Sequence, residues 1–402
     1  MSDATARGPL TDLRVIEMGT LIAGPFCGQL LGDFGAEVIK IEEPGKGDPM
    51  RDWGREKPRG LSLWWPVIAR NKKSVTLNLR TAEGQAMARR LIAKADIVTE
   101  NFRPGTLEKW GLDHAALAID QPRLIMARIS GYGQTGPYRD RAGFGAVGEA
   151  MGGFRYVTGD PDRPPARAGI SIGDSLAATY AALGVLMAVH HRERTGRGQV
   201  VDSALYEATL AMMENLVTEY AQAGYVRERS GAILPKIAPS NVYACDSGEM
   251  VLIAANQDGI FRRLCDAMGM AELAEDPRFK THTARGEVQI ELDAIIGQWV
   301  SRRGADTVLD AMNAAAVPAG RIYRAPEMLA DPHFAARQAI IDVAHPVFGS
   351  LKMQGAFPRL SETPGAVRWT GPTLGEHNEE IWGGLLGYST ARLAEMKATG
   401  LI

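Results

Sequence analysis

Segments typical of strands and of helices alternate through the first half of this 402-residue chain. This alternation predicts an α/β fold, with a mostly parallel, Rossmann-like sheet that carries helices on both faces. The predicted strands are residues 13–18, 36–41, 74–79, 96–99 and 123–129, and the predicted helices between them are residues 24–33 and 81–94.

Polar stretches follow several of these predicted strands. Ligands of parallel α/β sheets bind outside the carboxyl ends of the strands. We therefore expect a binding site where these stretches meet, at residues 19–20, 42–43, 100–101 and 130–132.

The second half of the chain has a different pattern. Residues 174–192 and 202–223 are predicted to be two long helices, and the polar residues 225–239, with Gly and Pro, are typical of a linker. One or two strands near residues 251–255 and helices over residues 259–269, 287–302 and 305–315 indicate a smaller α+β domain. Residues 326–364 suggest short strands and turns in a returning linker.

Composition restricts the class of protein. A chain with 45% hydrophobic and 23% charged residues is an ordinary globular protein, and a net charge of −2 gives no electrostatic case for nucleic acid. The three widely spaced cysteines indicate neither a disulfide framework nor a zinc site, which fits a reducing, cytoplasmic compartment. Residues 1–8 are a polar tail without an apolar leader core, and no run is expected to reach the ~18 apolar residues of a membrane span.

Asp174 lies among Gly and Ser residues at the start of a long apolar run, residues 176–189. One interpretation is structural, because Asp is a favoured helix N-cap. The other is chemical, since Gly173 lets a substrate or another backbone approach closely. From these residues alone both interpretations stand.

Two further motifs have competing interpretations. Residues 131–136 match G-x-G-x-x-G after a strand, but no amphipathic helix follows, so a glycine-rich loop near a ligand is favoured over a nicotinamide site. Lys72 and Lys73 are either solvated surface residues or a phosphate contact. The seven histidines show no metal-ligand spacing, so no metal is expected.

Several segments together resemble the class III (family III) CoA-transferases, the CaiB/BaiF-like group that includes formyl-CoA transferase. Each segment is weak evidence alone, but their order and spacing extend over nearly the whole chain. The segments are residues 21–26, 35–42, 71–74, 100–105, 131–137, 195–199 and 374–377.

The resemblance implies roles for individual residues. Asp174 aligns with the family's catalytic aspartate, and Phe144 replaces an aromatic or His position. Gly145 stands at a position that is often acidic, and Glu43 stands where relatives often have an Arg near the CoA phosphates. Asn256 and Gln257 fall on a loop that closes over the active site in relatives. The implied CoA and substrate contacts, with the glycine loop included, are Thr20, Leu21, Ile22, Ala23, Leu77, Arg80, Asn101, Lys109, Gly133, Phe144, Asn256 and Gln257.

The resemblance also implies the domain organisation. Family members are homodimers in which each chain forms a ring threaded through the other. On this scheme residues 1–200 with 375–402 form a large CoA-binding domain, residues 201–229 a linker, residues 230–325 the small domain and residues 326–374 the returning linker.

The implied activity is transfer of CoA from an acyl-CoA to a free carboxylate, with a dicarboxylate such as succinate favoured. Coenzyme A is then substrate and product, and no tightly bound cofactor is expected. An aspartate is ionised at neutral pH without an adjacent base, so Asp174 is expected to attack the thioester and form an aspartyl-acyl anhydride. Gly173 and neighbouring N–H groups at the helix start are expected to stabilise the oxyanion.

Two alternatives remain open. An α-methylacyl-CoA racemase with the same fold exchanges a proton next to the thioester and needs a His and Asp pair, whereas this chain has Gly143-Phe144-Gly145 at that place. A non-catalytic acyl-CoA-binding protein is the other alternative.

Overall fold

The structure is a computed structural model that describes residues 8–402. Apart from Gly8, the predicted polar tail lies outside the described residues. The chain divides into two compact units. One comprises the chain up to Phe154, Ala168–Thr218 and His333–Ile402, and the other comprises Arg155–Arg167 and Glu219–Pro332. We call them the sheet unit and the small unit.

The strands in chain order are β1 (Arg14–Glu17), β2 (Glu37–Glu42), β3 (Lys72–Thr76), β4 (Ile97–Glu100), β5 (Ile125–Ser130), β6 (Val200–Ala204), β7 (Ser240–Ala244), β8 (Met250–Ala254), β9 (Ala319–Arg321), β10 (Ile340–His345) and β11 (Gly349–Gln354).

The helices in chain order are α1 (Ala23–Asp33), α2 (Trp65–Ile68), α3 (Ala82–Ile92), α4 (Thr106–Trp110), α5 (His114–Ala118), α6 (Gly145–Met151), α7 (Phe154–Val157), α8 (Ile172–Thr195), α9 (Leu205–Leu210), α10 (Leu216–Ala223), α11 (Asp258–Met268), α12 (His282–Glu287), α13 (Gln289–Val300), α14 (Ala305–Ala314), α15 (Ala325–Ala330), α16 (Pro332–Ala336) and α17 (Thr390–Ala398). A π-helical segment, Glu379–Leu385, precedes α17.

The sheet unit is built on β1–β6, in the order β3-β2-β1-β4-β5-β6 with every pair parallel. The predicted parallel sheet is therefore confirmed. The chain first adds strands on one side of β1 and then crosses to add β4 on the other side. In open α/β sheets this reversal leaves a crevice at the carboxyl ends of the two central strands.

Helix α8 packs one face against the sheet, and Ala177, Ala181, Val185 and Ala188 on that face are buried in a core cluster with residues of β1, β4 and β5. The expectation that no run approaches the ~18 apolar residues of a membrane span is wrong for α8 by length and composition, because the helix has 24 residues and its most apolar 18-residue window has a mean hydropathy of 1.6. A buried core helix has the same composition, and 39% of its most apolar window is buried. Because α8 packs on the sheet through this face, we interpret it as a core helix.

The predicted long helix over residues 202–223 is wrong. Residues Val200–Ala204 pair with β5 as the edge strand β6, because β-branched Val200 and Val201 suit a strand. The remainder forms two short helices, α9 and α10. Between them Glu214 has a φ of 50°, which interrupts the helical backbone.

The small unit contains an antiparallel sheet in the order β7-β8-β9, packed with α11, α13 and α14 around one apolar core. These helices confirm the predicted helices within two residues at each end. Of the segment predicted as a returning linker, residues 333–374 group with the sheet unit. They contain α16 except its first residue, Pro332, and the antiparallel hairpin of β10 and β11.

Candidate active site

A reciprocal pair of hydrogen bonds joins the loops after β1 and β4, at the reversal point of the sheet. The Thr20 backbone N–H donates to Asn101 Oδ1 at 2.8 Å, and Asn101 Nδ2 donates to the Thr20 carbonyl at 2.9 Å. A Cβ atom on Gly19 would stand 2.7 Å from Asn101 Oδ1. Glycine is therefore required where the two loops approach each other.

Beside these loops lies a cleft of about 680 Å³, which we call the switch-point cleft. It includes the predicted contact residues Thr20, Leu77 and Arg80, and Phe102 and Trp110 add an aromatic edge that the sequence did not predict. The other lining residues are Met18, Lys40, Ile41, Glu42, Glu43, Gly45, Lys46, Gly47, Asp48, Pro49, Asp52, Asn78 and Leu79.

Other predicted CoA contacts lie outside the lining of this cleft. Ile22 and Ala23 are buried at the start of α1. Leu21 precedes them with a φ of 64°, an uncommon conformation for a leucine. Lys109 is exposed on α4, while its neighbour Trp110 faces the cleft. Asn101 supports the cleft through its bonds to Thr20.

A buried ion-pair network fixes the floor of the cleft. Lys40 Nζ lies 3.0 Å from Glu17 Oε1, 2.8 Å from Asp48 Oδ2 and 2.7 Å from the Gly19 carbonyl. Asp48 Oδ1 in turn accepts the N–H of Leu21 at 3.1 Å. Lys40 therefore holds both ends of the Gly19–Leu21 turn, directly at Gly19 and through Asp48 at Leu21.

The pKa of Lys40 reflects this network. Burial lowers the pKa, but the nearby charges of Asp48 and Glu17 outweigh burial and hold the pKa above its ordinary value. For Asp48, burial raises the pKa, and the opposing charge and hydrogen bond of Lys40 bring it below its ordinary value. Both groups are therefore charged at neutral pH.

Both predicted interpretations of Lys72 are wrong. Its side chain is fully buried, and Nζ lies 2.8 Å from Glu17 Oε2 and 2.6 Å from the Pro25 carbonyl. Lys72 begins the edge strand β3, and its side chain is directed into the interior, where an opposite charge must accompany the buried ammonium group. Lys73 points to the other face and pairs with Glu37 and Glu380 at 2.6 Å each.

Glu43 is an acidic residue at the rim of the cleft. Its carboxylate lies 3.2 Å from Lys46 Nζ and 3.9 Å from the Arg80 guanidinium. Glu43 thus takes up cationic groups that would otherwise face the cleft.

The Asp174 side chain is half-buried in the first turn of α8. Ser171 stands at the N-cap, so Asp174 is the third residue of the helix and the interpretation of Asp174 as the cap is wrong. The carboxylate lies against Gly145, where an ideal Cβ would stand 2.1 Å from Oδ2 and 2.6 Å from Cγ. Absence of a side chain at position 145 thus makes the space that the Asp174 carboxylate occupies.

The backbone before Asp174 is held by a residue that sequence reasoning missed. Glu149 on α6 is 1% exposed, and its Oε1 accepts the N–H of Gly173 at 3.3 Å. The expectation that this Gly173 N–H stabilises an oxyanion is therefore wrong, because it already donates to Glu149. The available sequence signal was a glutamate four residues after Gly145 in an otherwise uncharged segment, which places the two residues on one face of a helix.

The glycine motif after β5 is a loop, as predicted. Gly133 has a φ of 84°, and its N–H donates to Ser130 Oγ at 3.0 Å, while Gln134 N–H donates to Asp202 Oδ2 at 2.8 Å. Within the described chain no helix begins between this motif and α6, which excludes the helix N-terminus that a dinucleotide fingerprint requires. Phe144, at the N-cap of α6, is 51% exposed.

Asn256 and Gln257 lie in the small unit, immediately before α11. The Asn256 carbonyl accepts hydrogen bonds from Arg285 Nη2 at 2.7 Å and from His282 Nδ1 at 2.9 Å. These bonds anchor the loop on its own unit.

Possible metal ligands are not grouped in residues 8–402, where no set of three His, Cys, Asp or Glu side chains could hold an ion. Cys27, Cys245 and Cys265 are free and buried.

Comparison with known proteins gives one consistent family. A family model described as CoA-transferase family III matches residues 10–378. The chain is 60% identical over its whole length to the full-length succinyl-CoA–D-citramalate CoA-transferase of Chloroflexus aurantiacus. It is 41% identical, again over the whole of both chains, to the succinyl-CoA–L-malate CoA-transferase beta subunit of the same organism. The crystal structure of a CAIB/BAIF family protein from Brucella suis matches with a TM-score of 0.83 and 35% identity, over 94% of this chain and 100% of that one.

Proposed function

Because the chain belongs to the CoA-transferase family III, we propose that it transfers CoA between two dicarboxylates and that Asp174 is its nucleophile. The observation that carries the assignment is the Asp174 carboxylate at the start of α8, in the space left by Gly145. The carboxylate lies in the first turn of the helix, where the helix dipole favours negative charge.

In the proposed reaction, an Asp174 oxygen attacks the carbonyl carbon of the acyl-CoA. The C–S bond breaks, CoA leaves as the thiolate, and the acyl group remains on Asp174 as a mixed anhydride. The thiolate then attacks the aspartyl carbonyl, which releases the donor acid and leaves CoA on Asp174 as a thioester. The acceptor carboxylate then attacks the aspartyl thioester, which expels the CoA thiolate and forms a second mixed anhydride. The thiolate attacks the acceptor's acyl carbonyl, so the new acyl-CoA leaves and the Asp174 carboxylate is regenerated, with the thioester energy retained. Exclusion of water protects the anhydride from hydrolysis.

We place CoA in the switch-point cleft. Thr20, Leu77 and Arg80 line it, and the aromatic side chains of Phe102 and Trp110 offer apolar surface to the nucleotide or the pantetheine chain. Lys46 and Arg80 are the cations available to the CoA phosphates, although Glu43 competes for both. The cleft has the volume of a typical small-molecule site.

For the substrates we propose succinyl-CoA as donor and a four- or five-carbon hydroxy-dicarboxylate as acceptor. The support is the identity of 60% and 41% to transferases named for succinyl-CoA with D-citramalate and L-malate. Initial rates with succinyl-, acetyl- and formyl-CoA against D-citramalate, L-malate and acetate will test this assignment. Rates with acetyl-CoA and acetate that equal those with succinyl-CoA and D-citramalate or L-malate would contradict it.

We further propose the interlocked homodimer that the resemblance implies, in a cytoplasmic enzyme without a tightly bound cofactor. An exposed apolar stripe on α8 supports a covering chain, because Tyr180, Leu183 and Met187 recur at helical spacing and are 36–61% exposed. Light scattering should give twice the 43.4 kDa mass of one chain. A monomeric mass at micromolar concentration would contradict the dimer. An unchanged dimeric mass for the double variant Leu183→Lys/Met187→Lys would contradict the α8 stripe as part of the interface.

The nucleophile is tested by trapping. Incubation with succinyl-CoA and then hydroxylamine should convert Asp174 to a hydroxamate, because hydroxylamine attacks an anhydride or thioester but leaves a free carboxylate intact. Peptide mass spectrometry locates the label, and the Asp174→Asn variant is the control. Transfer without label at residue 174 would exclude Asp174 as the nucleophile, and binding of succinyl-CoA without label or transfer would favour a non-catalytic acyl-CoA-binding protein.

A further inference from the structure

The first turn of α8 carries Asp174, but the conventional means of fixing a helix start is not used there. A helix leaves its first N–H groups without partners inside the helix, and a side chain at the N-cap ordinarily accepts one of them. Ser171 occupies the N-cap and its side chain makes no capping hydrogen bond. The acceptor for the Gly173 N–H comes instead from another helix, as Glu149 Oε1 of α6.

Helix α6 is held closely enough to define where this acceptor lies. Gly148 and the C-cap residue Gly152 face α9, where an ideal Cβ on Gly148 would stand 2.6 Å from Leu205 Cβ and one on Gly152 would stand 2.6 Å from Thr209 Cβ. On the α8 side, a Cβ on Gly173 would stand 2.9 Å from the Gly145 carbonyl and 3.0 Å from Glu149 Cγ. The two helices therefore meet through glycine, and small displacements of α6 move the surroundings of Asp174.

Glu149 also stands one helical turn after Gly145, the residue that the Asp174 carboxylate contacts. The same short helix thus contributes the space for the carboxylate and the acceptor for the preceding N–H.

We propose that Glu149 is a positioning residue for the transfer reaction. It caps α8 from the neighbouring helix and thereby holds the Gly173–Asp174 peptide in the orientation from which Asp174 attacks. The inference rests on the proposed role of Asp174 as nucleophile. The proposed role of Glu149 requires only an oxygen acceptor at position 149, so the amide oxygen of a glutamine should serve in place of the carboxylate.

The test compares Glu149→Gln with Glu149→Leu. The Gln variant keeps an acceptor of the same shape, and we expect it to retain kcat within about threefold. The Leu variant leaves the Gly173 N–H without its acceptor and should lower kcat by about 100-fold, because displacement of a reacting group by ~1 Å can cost that much. KM for succinyl-CoA should change by less than about threefold in both, since the switch-point cleft is untouched.

Rates are normalised to the fraction of chains that hydroxylamine can label at Asp174, so loss of folded protein does not imitate the effect. The matched control is Glu193→Leu at the opposite end of α8, where the carboxylate is exposed and pairs with Arg123 at 2.8 Å. This control should keep wild-type kcat. Single-turnover labelling of Asp174 should be slowed in Glu149→Leu by the same factor as kcat.

Two results would overturn the inference. One is a Glu149→Leu variant with wild-type kcat per labelled site, and the other is a Gln variant as slow as the Leu variant, which would show that acceptance of the N–H is not the role. The proposed role of Asp174 as nucleophile is tested separately, because it fails if the Asp174→Asn variant retains transfer activity. The two ideas are thus tested by different variants.

Discussion

The carboxylate of Asp174 occupies the position that a side chain at residue 145 would need: an ideal Cβ on Gly145 would stand 2.1 Å from Asp174 Oδ2 and 3.0 Å from Oδ1. The two residues come from different helices, α6 and α8, and neither can be changed without consequence for the other. This contact explains physically why residue 145 of this chain is a glycine.

The first prediction follows from this contact. Gly145→Ala should rotate the Asp174 side chain away from its present position, because the clashing atoms are the mobile end of that side chain rather than backbone. We expect kcat to fall by about 100-fold, with a small change in thermal midpoint. Gly169→Ala is the matched control, since a Cβ there has open space around it. Wild-type kcat in Gly145→Ala would show that the observed orientation of Asp174 is not needed for reaction.

The second prediction concerns the charge of Asp174. Asp174→Asn keeps the shape of the side chain and removes the nucleophilic oxygen, so transfer should fall by at least about a thousandfold. The free energy of unfolding should change by less than about 1 kcal/mol, the usual value of an acidic residue in the first turn of a helix. Circular dichroism and urea unfolding check the fold. A purified variant with more than a few per cent of wild-type activity would require another nucleophile.

The third prediction concerns the buried network beneath the switch-point cleft. Lys40→Met removes one charge and leaves Glu17 and Asp48 buried with less compensation, which should destabilise the protein by about 3–5 kcal/mol. KM for acyl-CoA should also rise, because the Gly19–Leu21 turn loses its support. Lys46→Met removes an exposed pair with Glu43 and should cost less than about 1 kcal/mol. Urea unfolding that gives equal losses for the two variants would contradict the importance of the network.

The fourth prediction is a dependence of stability on pH. The folded-state pKa of Asp48 lies below its ordinary value, mainly because of Lys40. The stabilisation is therefore present above the unfolded pKa, near ~3.9, and is lost as the pH falls through the folded pKa. Asp48→Asn should be less stable than wild type at pH 7 and should lose less stability on acidification. Asp52→Asn, at an exposed position of the same cleft, is the control and should follow the wild type. Parallel pH profiles for Asp48→Asn and wild type would refute this prediction.

The fifth prediction distinguishes a transferase from a racemase. Proton exchange next to a thioester needs a positioned base and acid with suitable pKa values. Phe144 can neither give nor take a proton, and Gly145 has no side chain. A 2-methylacyl-CoA incubated with enzyme in heavy water should therefore gain no deuterium at Cα, while CoA transfer to an added carboxylate proceeds. Mass spectrometry that finds enzyme-dependent deuterium uptake, abolished in Asp174→Ala, would favour the racemase.

Local patterns predicted the parts of the fold that depend on short stretches of chain. The strands β1, β2, β4 and β5 and the helices α1, α3 and α8 lie within a few residues of their predicted limits, because apolar periodicity and turn residues mark them directly. The region after Val200 was mispredicted, since Val200–Ala204 becomes a strand only through pairing with β5, some 70 residues earlier. Helical propensity in isolation could not show that partner.

The same distinction applies to the site. The sequence by itself determined the family, through the order and spacing of short segments. It also determined the candidate nucleophile Asp174 and the glycine loop after β5, because each of these is carried by consecutive residues. Only the tertiary structure decided that Lys72 is a buried partner of Glu17 and that Asp174 lies inside α8 rather than at its cap. It alone brought Glu149 to the Gly173 N–H and Gly145 to the Asp174 carboxylate. Those relationships join residues that are 24 to 55 positions apart. Packing of separate helices and strands fixes such pairs, and no local sequence pattern records the packing.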